Sequence, residues 1–174
     1  MKIFKRAVSI FLALALLFAL TACGNDGSGA ALSYPIESQP ECLDPQIAQG
    51  AEAKTVVLNC FEGLVRKDSE GKFSPAAAKS WSYDSASLTY TFKLREDARW
   101  VIMKKAYKSI LGDDIDNTFD SRVTAADFVF ALKRAVNPAT GAPEAMSLGV
   151  IKNAKSIING KLSPDKLGVS AVGD

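Results

Sequence analysis

The sequence of 174 residues contains no histidine. Zinc sites with imidazole ligands, Ser-His-Asp triads and Cys-His pairs are therefore excluded within this chain. The acidic stretch at 113–120 lacks the glycine and glutamate that a calcium loop needs, so no metal site is predicted. No nucleophile motif and no cofactor motif is recognisable. The residues give no support for an enzyme.

The sequence also lacks an apolar run long enough to span a membrane. The longest run covers residues 7–20, fourteen positions, whereas a spanning helix needs roughly 20. Lys2, Lys5 and Arg6 precede it, and small residues follow. This order is typical of a secretory signal peptide, which we place at residues 1–22.

Residues 20–23 (LTAC) resemble the lipobox of bacterial lipoproteins. In that family the cysteine is diacylated on sulfur and becomes the first mature residue. The resemblance implies a lipid anchor on Cys23 and a location on the outer face of the cell membrane or on its periplasmic side. Residues 23–30 are rich in glycine and small polar residues, as in a flexible tether. The alternative is an ordinary signal peptide with an incidental cysteine.

An excess of positive charge is absent once the signal is removed. The whole chain has 21 basic and 19 acidic residues. Residues 1–22 hold three basic and no acidic ones, which leaves 18 against 19, a net charge of about −1. No cluster of Lys and Arg remains to attract phosphates. Nucleic acid is therefore not a predicted partner.

Residues 23–174 are enough for one domain with a core of its own. Cys42 and Cys60 are the cysteines left after lipidation of Cys23. Outside the cytoplasm such a pair permits a disulfide. The alternative is two buried free thiols, with Cys60 on the apolar face of a helix.

Apolar periodicity and turn residues predict a chain of the α/β (α+β) class. We expect helices at 51–61, 101–111 and 124–136, with Gly63 as a left-handed cap and Thr124 with Asp127 as a capping box. Short helical turns are expected at 75–78, 145–148 and 154–158. Strands are expected at 31–34, 64–66, 80–83 and 88–95, and the last two should form a hairpin with one buried face that includes Trp81.

Several segments in order resemble one family, the extracellular solute-binding proteins of family five, which are the oligopeptide-binding lipoproteins of ABC importers. The match extends over most of residues 31–174. The segments are 43–46 (LDPQ), 61–65 (FEGLV), 75–81 (PAAAKSW), 88–95 (LTYTFKLR), 98–100 (ARW), 123–129 (VTAADFV), 133–135 (KRA) and 137–138 (NP).

The resemblance implies the N-terminal portion of a two-lobed fold like that of periplasmic binding proteins. Most of this portion would be the accessory domain, with a mixed sheet and flanking helices. The implied partners are a peptide ligand and the ABC permease subunits in the membrane. In the family, the stretch before the LDP motif approaches the peptide backbone. Here that stretch contains Glu37, Ser38, Gln39, Pro40 and Glu41; its alternative role is a structural linker.

The chain departs from the family pattern in two places. Residues 101–122 form a longer connection than usual. The chain also ends after roughly the first third of the family's length, before the second lobe. Two other functions fit the residues. One is a receptor for dipeptides, a nickel chelate or a sugar on the same fold, and the other is a stand-alone surface lipoprotein with a scaffold or adhesion role.

Overall fold

The computed structural model describes residues 33–103, 107–109, 112 and 119–173. The chain divides into two units, Met1–Ile36 and Glu37–Asp174. The predicted signal and tether, residues 1–30, lie outside the described residues. The strand predicted at 31–34 is not present at Ser33 and Tyr34, which are irregular and exposed, because no backbone hydrogen bond within the described part of the chain involves them. Residues 31–32 lie outside that part.

The first helix, α1, spans Ala51–Cys60, as the periodicity predicts. Gly50 precedes it with a φ of 86°, a backbone conformation that favours glycine. The prediction that Gly63 ends the helix in a left-handed conformation is wrong. The helix ends earlier because Phe61 is already extended, with φ −119° and ψ 143°.

Strands β1 (Val65–Lys67) and β2 (Phe73–Pro75) form an antiparallel pair. The chain turns between them at residues 68–71. The Asp68 carboxylate accepts hydrogen bonds of 2.9 Å from the amides of Glu70 and Lys72, and Gly71 has a φ of 80°. The side chain of Asp68 therefore fixes the turn locally.

The helical turn predicted at 75–78 is wrong. Pro75 is the last residue of β2, and Ala78 is the first residue of strand β3, which spans Ala78–Asp84. The amides of Ala77 and Ala78 donate to the carbonyls of Gly63 and Leu64 at 3.1 and 2.9 Å. These hydrogen bonds to a distant segment hold the backbone extended, against the helical preference of alanine.

Strand β4 (Thr89–Leu94) pairs with β3 in an antiparallel hairpin, as predicted. Trp81 lies opposite Phe92, and Tyr83 lies opposite Tyr90, so the four aromatic rings share one face. That face is not buried as predicted. Tyr83 and Tyr90 are 49% and 60% exposed, and their ring centroids lie 4.6 Å apart. The rings pack on one another within the hairpin.

Helix α2 spans Ala125–Val136 and begins with the predicted capping box of Thr124 and Asp127. The amide of Thr124 donates to Asp127 Oδ2 at 2.7 Å. The helix stops at Asn137 before Pro138, as predicted. Three 3₁₀ turns and one short helix, α3, follow it: Pro138–Thr140, Ala145–Leu148, Ala154–Ile158 (α3) and Pro164–Lys166.

A small apolar core joins α2 to the C-terminal turns. Val136, Ala154 and Ile157 are fully buried, and Leu167 is 4% exposed. Half-buried Leu132 and Ile151 pack around them. This core is the most deeply buried apolar cluster in the described part of the chain, and it fixes the C-terminal end of α2.

The α/β class is confirmed. Within the described residues, however, the strands form two separate antiparallel pairs instead of one mixed sheet. Of the helix predicted at 101–111, residues 107–109 are helical, and 104–106, 110 and 111 lie outside the described residues. Among the helices that the structure describes, none combines the length and the apolar character required to cross a membrane.

Candidate functional site

The segment predicted to lie near a ligand is irregular and open to solvent. We call residues 37–43 the N-terminal segment. It bends at Glu37, Ser38 and Glu41, and of its side chains only Pro40 and Cys42 are half-buried. Within the described part of the chain, no backbone hydrogen bond involves residues 37–43. Their amides and carbonyls are therefore free to pair with another extended chain.

The N-terminal segment ends in a tight turn at Asp44. The Asp44 carboxylate accepts a hydrogen bond from the amide of Gln46 at 3.0 Å. The Asp44 carbonyl accepts from the amides of Ile47 and Ala48 at 3.1 and 2.8 Å. An aspartate that bonds the amide two residues on is a recurrent way of starting a turn. The turn directs both polar side chains, of Asp44 and Gln46, towards α2.

Arg134 of α2 receives both side chains. Its guanidinium donates to the two carboxylate oxygens of Asp44 at 2.9 and 2.5 Å, and to Gln46 Oε1 at 2.7 Å. The Gln46 amide nitrogen donates to the carbonyl of Ala131 at 2.7 Å. We call Asp44, Gln46 and Arg134 the Asp44–Arg134 cluster. It attaches the end of the N-terminal segment to one turn of α2.

The cluster is half-buried, with 36% of the Arg134 side chain and 28% of the Asp44 side chain exposed. The hydrogen bonds from Arg134 hold the pKa of Asp44 below its ordinary value of 3.8, and the amide of Gln46 adds to this effect. The same pairing raises the pKa of Arg134. Both groups are therefore charged at neutral pH.

We expect the pKa of Asp44 to rise towards its ordinary value in the variant Arg134→Met. A lowered pKa means that the cluster stabilises the fold above the unfolded-state pKa, and that this contribution is lost as pH falls through the folded-state pKa. The measurement is an NMR titration of the carboxyl carbons. Asp84 is the internal control, because its lowered pKa arises from Ser87 and Ala86. An unchanged Asp44 titration would contradict the prediction.

The two cysteines after residue 33 are free thiols in the structure. Cys42 is half-buried in the N-terminal segment, and its sulfur accepts from the amide of Asp44 at 3.4 Å. Cys60 is the last residue of α1 and is exposed, so its expected burial on the apolar face is wrong. The Cys42–Cys60 disulfide is not formed in the structure and stays a prediction for oxidising conditions.

The other ion pairs of the described residues are largely exposed. Glu62 pairs with Arg66 and Arg95 at 3.4 and 2.9 Å. The hydrogen bonds of Arg122 to Asp120 lower the pKa of that carboxyl to about 2. Within the described residues, no group of three or more Asp, Glu or Cys side chains has metal-binding geometry. Cys23 and most of the acidic stretch at 113–120 lie outside the described residues.

Sequence patterns alone did not identify Arg134 as part of the site. Asp44 and Arg134 are 90 positions apart, and periodicity carries no information at that separation. The available signal was one of charge: the LDPQ motif contains an acidic residue, and the KRA motif contains basic residues. One sequence does not show that these two charges meet.

Solved structures with a similar fold show the class of protein to which the described fold belongs. The *Escherichia coli* murein tripeptide binding protein MppA matches with a TM-score of 0.61 and 36% identity, over 79% of this chain and 24% of that one. *Haemophilus influenzae* OppA, solved in complex with RPPGFSPFR, matches with a TM-score of 0.61 and 40% identity over the same shares. The described fold thus matches one part of two-lobed periplasmic binding proteins.

The chain belongs to the bacterial extracellular solute-binding proteins, family 5, whose model matches residues 72–174. The resemblance found in the motifs is confirmed. Curated relatives include the periplasmic oligopeptide-binding protein OppA of *Haemophilus influenzae*, 41% identical over 139 residues. The dipeptide-binding protein of *Lactococcus lactis* is 34% identical over 156 residues. These alignments cover 79% and 89% of this chain but 23% and 25% of the relatives, so the chain spans about a quarter of their length.

Proposed function

We propose that this chain is the N-terminal part of an exported, lipid-anchored receptor that captures peptides outside the cell for an ABC importer. Relatives in the same family are named for binding oligopeptides, dipeptides and murein peptides. The observation that carries the proposal to this chain is the N-terminal segment, whose backbone amides and carbonyls have no partner within the described residues.

An open backbone segment suits a peptide receptor for a physical reason. Main-chain hydrogen bonds to an extended peptide do not depend on its side chains, so they permit a broad range of cargo. Glu37, Ser38, Gln39, Pro40 and Glu41 are the proposed ligand-proximal residues. In this proposal the receptor has no catalytic role. Closure of two lobes around the peptide presents the loaded form to the permease, and ATP is hydrolysed elsewhere.

The test is a calorimetric titration with the nonapeptide RPPGFSPFR, the peptide held by the *Haemophilus influenzae* relative. We expect the intact protein, extracted from the membrane fraction of its native cell, to bind this peptide. The segment 23–174 alone should bind weakly or not at all, since the second lobe would supply the other half of the cleft. Micromolar affinity for the isolated segment would contradict that prediction.

The same titration with a dipeptide and a tripeptide sets the range of cargo. If the dipeptide and the tripeptide bind but the nonapeptide does not, the protein is a receptor restricted to short peptides. If the intact protein binds none of these peptides, the proposed function is wrong.

A further inference from the structure

In the Asp44–Arg134 cluster, two residues of the chain turn at Asp44 form hydrogen bonds with one helical turn of α2. Two guanidinium nitrogens of Arg134 reach three oxygens, two on Asp44 and one on Gln46, at 2.5 to 2.9 Å. Gln46 in turn donates to the carbonyl of Ala131. Arg134 is itself held at its backbone, where its carbonyl accepts from the Thr140 hydroxyl at 2.7 Å.

The residues before the cluster have little else to hold them. From residue 33 to residue 43, the described structure shows one hydrogen bond, in which the Asp44 amide donates to the sulfur of Cys42. Among the described residues, no ion pair involves residues 33–43, and Asp44 is the first residue that forms one. Among the described residues, the hydrogen bonds and the ion pair that hold the end of the N-terminal segment to α2 are therefore those of Asp44 and Gln46.

We propose that Arg134 is a positioning residue for peptide binding: through Asp44 and Gln46 it holds the N-terminal segment, residues 37–43, against α2. The link to peptide binding rests on the proposed function, whereas the attachment itself does not. Arginine suits this role because its planar group donates several hydrogen bonds in a fixed geometry. Lysine offers a single point charge and does not reproduce the bidentate contact.

Two cysteines of the chain can report whether the N-terminal segment is held in place. Cys42 lies in the N-terminal segment and is half-buried, whereas Cys60 lies on α1 and is exposed. The reduced full-length protein is alkylated, and the rate at each cysteine is followed by mass spectrometry of its peptides. Arg134 interacts electrostatically with Cys42. Rates are therefore compared at their high-pH limit, where the rate reports access to each sulfur and not the fraction of thiolate.

In Arg134→Met we expect the limiting rate at Cys42 to rise severalfold, with the rate at Cys60 unchanged. Asp44→Asn should behave in the same way, and Arg134→Lys should give an intermediate rise. The matched control is Lys133→Met, which removes the neighbouring charge, whose partner is Asp165. A Cys42 rate that stays at the wild-type value in both Arg134→Met and Asp44→Asn would overturn the proposal. An equal rise at Cys42 and Cys60 would also overturn it, since that indicates general loosening of the fold.

A second readout separates this inference from the proposed function. If the wild-type protein binds RPPGFSPFR, its dissociation constant should rise severalfold in Arg134→Met and stay constant in Lys133→Met. Equal affinity in wild type and Arg134→Met would overturn the positioning role. If the wild-type protein binds no peptide, the proposed function fails, and the alkylation rates alone decide whether Arg134 holds the segment.

Discussion

Cells that express the variant Cys23→Ser should incorporate no labelled fatty acid into this protein, whereas the wild-type protein should be labelled. In the proposed lipoprotein the acyl-bearing sulfur is that of Cys23, and a serine oxygen would not replace it. Burial of a fatty acyl chain contributes about 0.8 kcal/mol per CH₂, and two chains are needed for a stable anchor. The effect on membrane affinity is therefore the largest that we expect from any single substitution.

The measurement combines fatty-acid labelling with the intact mass of the extracted protein. The wild-type mass should correspond to a chain that begins at Cys23 and carries a diacylglyceryl group. Cys42→Ser is the control and should be labelled like the wild type. Label in Cys23→Ser, or none in the wild type, would contradict the anchor and favour an ordinary signal peptide with an incidental cysteine.

Replacing Ile157 by alanine is expected to lower the free energy of unfolding by about 2 to 5 kcal/mol. Ile157 is fully buried between Val136, Ala154 and Leu167. Its truncation removes apolar contacts and leaves a cavity in a core that has few other large side chains. Native domains are typically stable by about 5 to 15 kcal/mol, so this loss is a large part of the total.

Urea unfolding of the two proteins measures the difference. Val150→Ala is the matched control, because Val150 is 93% exposed and substitutions at such positions usually change stability by less than about 0.5 kcal/mol. If Ile157→Ala and Val150→Ala unfold at the same urea concentration, the C-terminal core does not have the role described.

Local sequence patterns predicted the elements whose causes are local. Helix α2 follows from its apolar spacing together with the capping box of Thr124 and Asp127, and both are present. The hairpin of β3 and β4 follows from alternation along the second strand. Each of these signals lies within a dozen residues, a range over which side-chain period and hydrogen bonding determine backbone conformation.

Two of the incorrect predictions concern features with distant causes. The backbone of Ala77 and Ala78 is extended because it pairs with Gly63 and Leu64, and no local pattern encodes that pairing. Alternation shows which side chains of the hairpin share a face, and we expected the face with the aromatic rings to be buried. Alternation does not show whether a second layer covers that face. Tyr90, 60% exposed, illustrates the difference.

The candidate site was predictable in part. The LDP motif located the N-terminal segment through the family resemblance, and the turn at Asp44 follows from residues next to each other. The partner of that turn did not follow, because Arg134 meets Asp44 across 90 positions. Ligand contact by residues 37–41 remains a prediction, to be tested by peptide titration.

The separation between Asp44 and Arg134 also has a consequence for the order of events in time. Ribosomes add about 5 to 20 residues per second, so the 90 positions between the two side chains take roughly 5 to 20 seconds to synthesise. During that interval the N-terminal segment has been made but the helix that will hold it has not. Arg134 therefore cannot hold the segment until about 90 further residues have been made, and before that the segment can pass through a narrow channel as an extended chain.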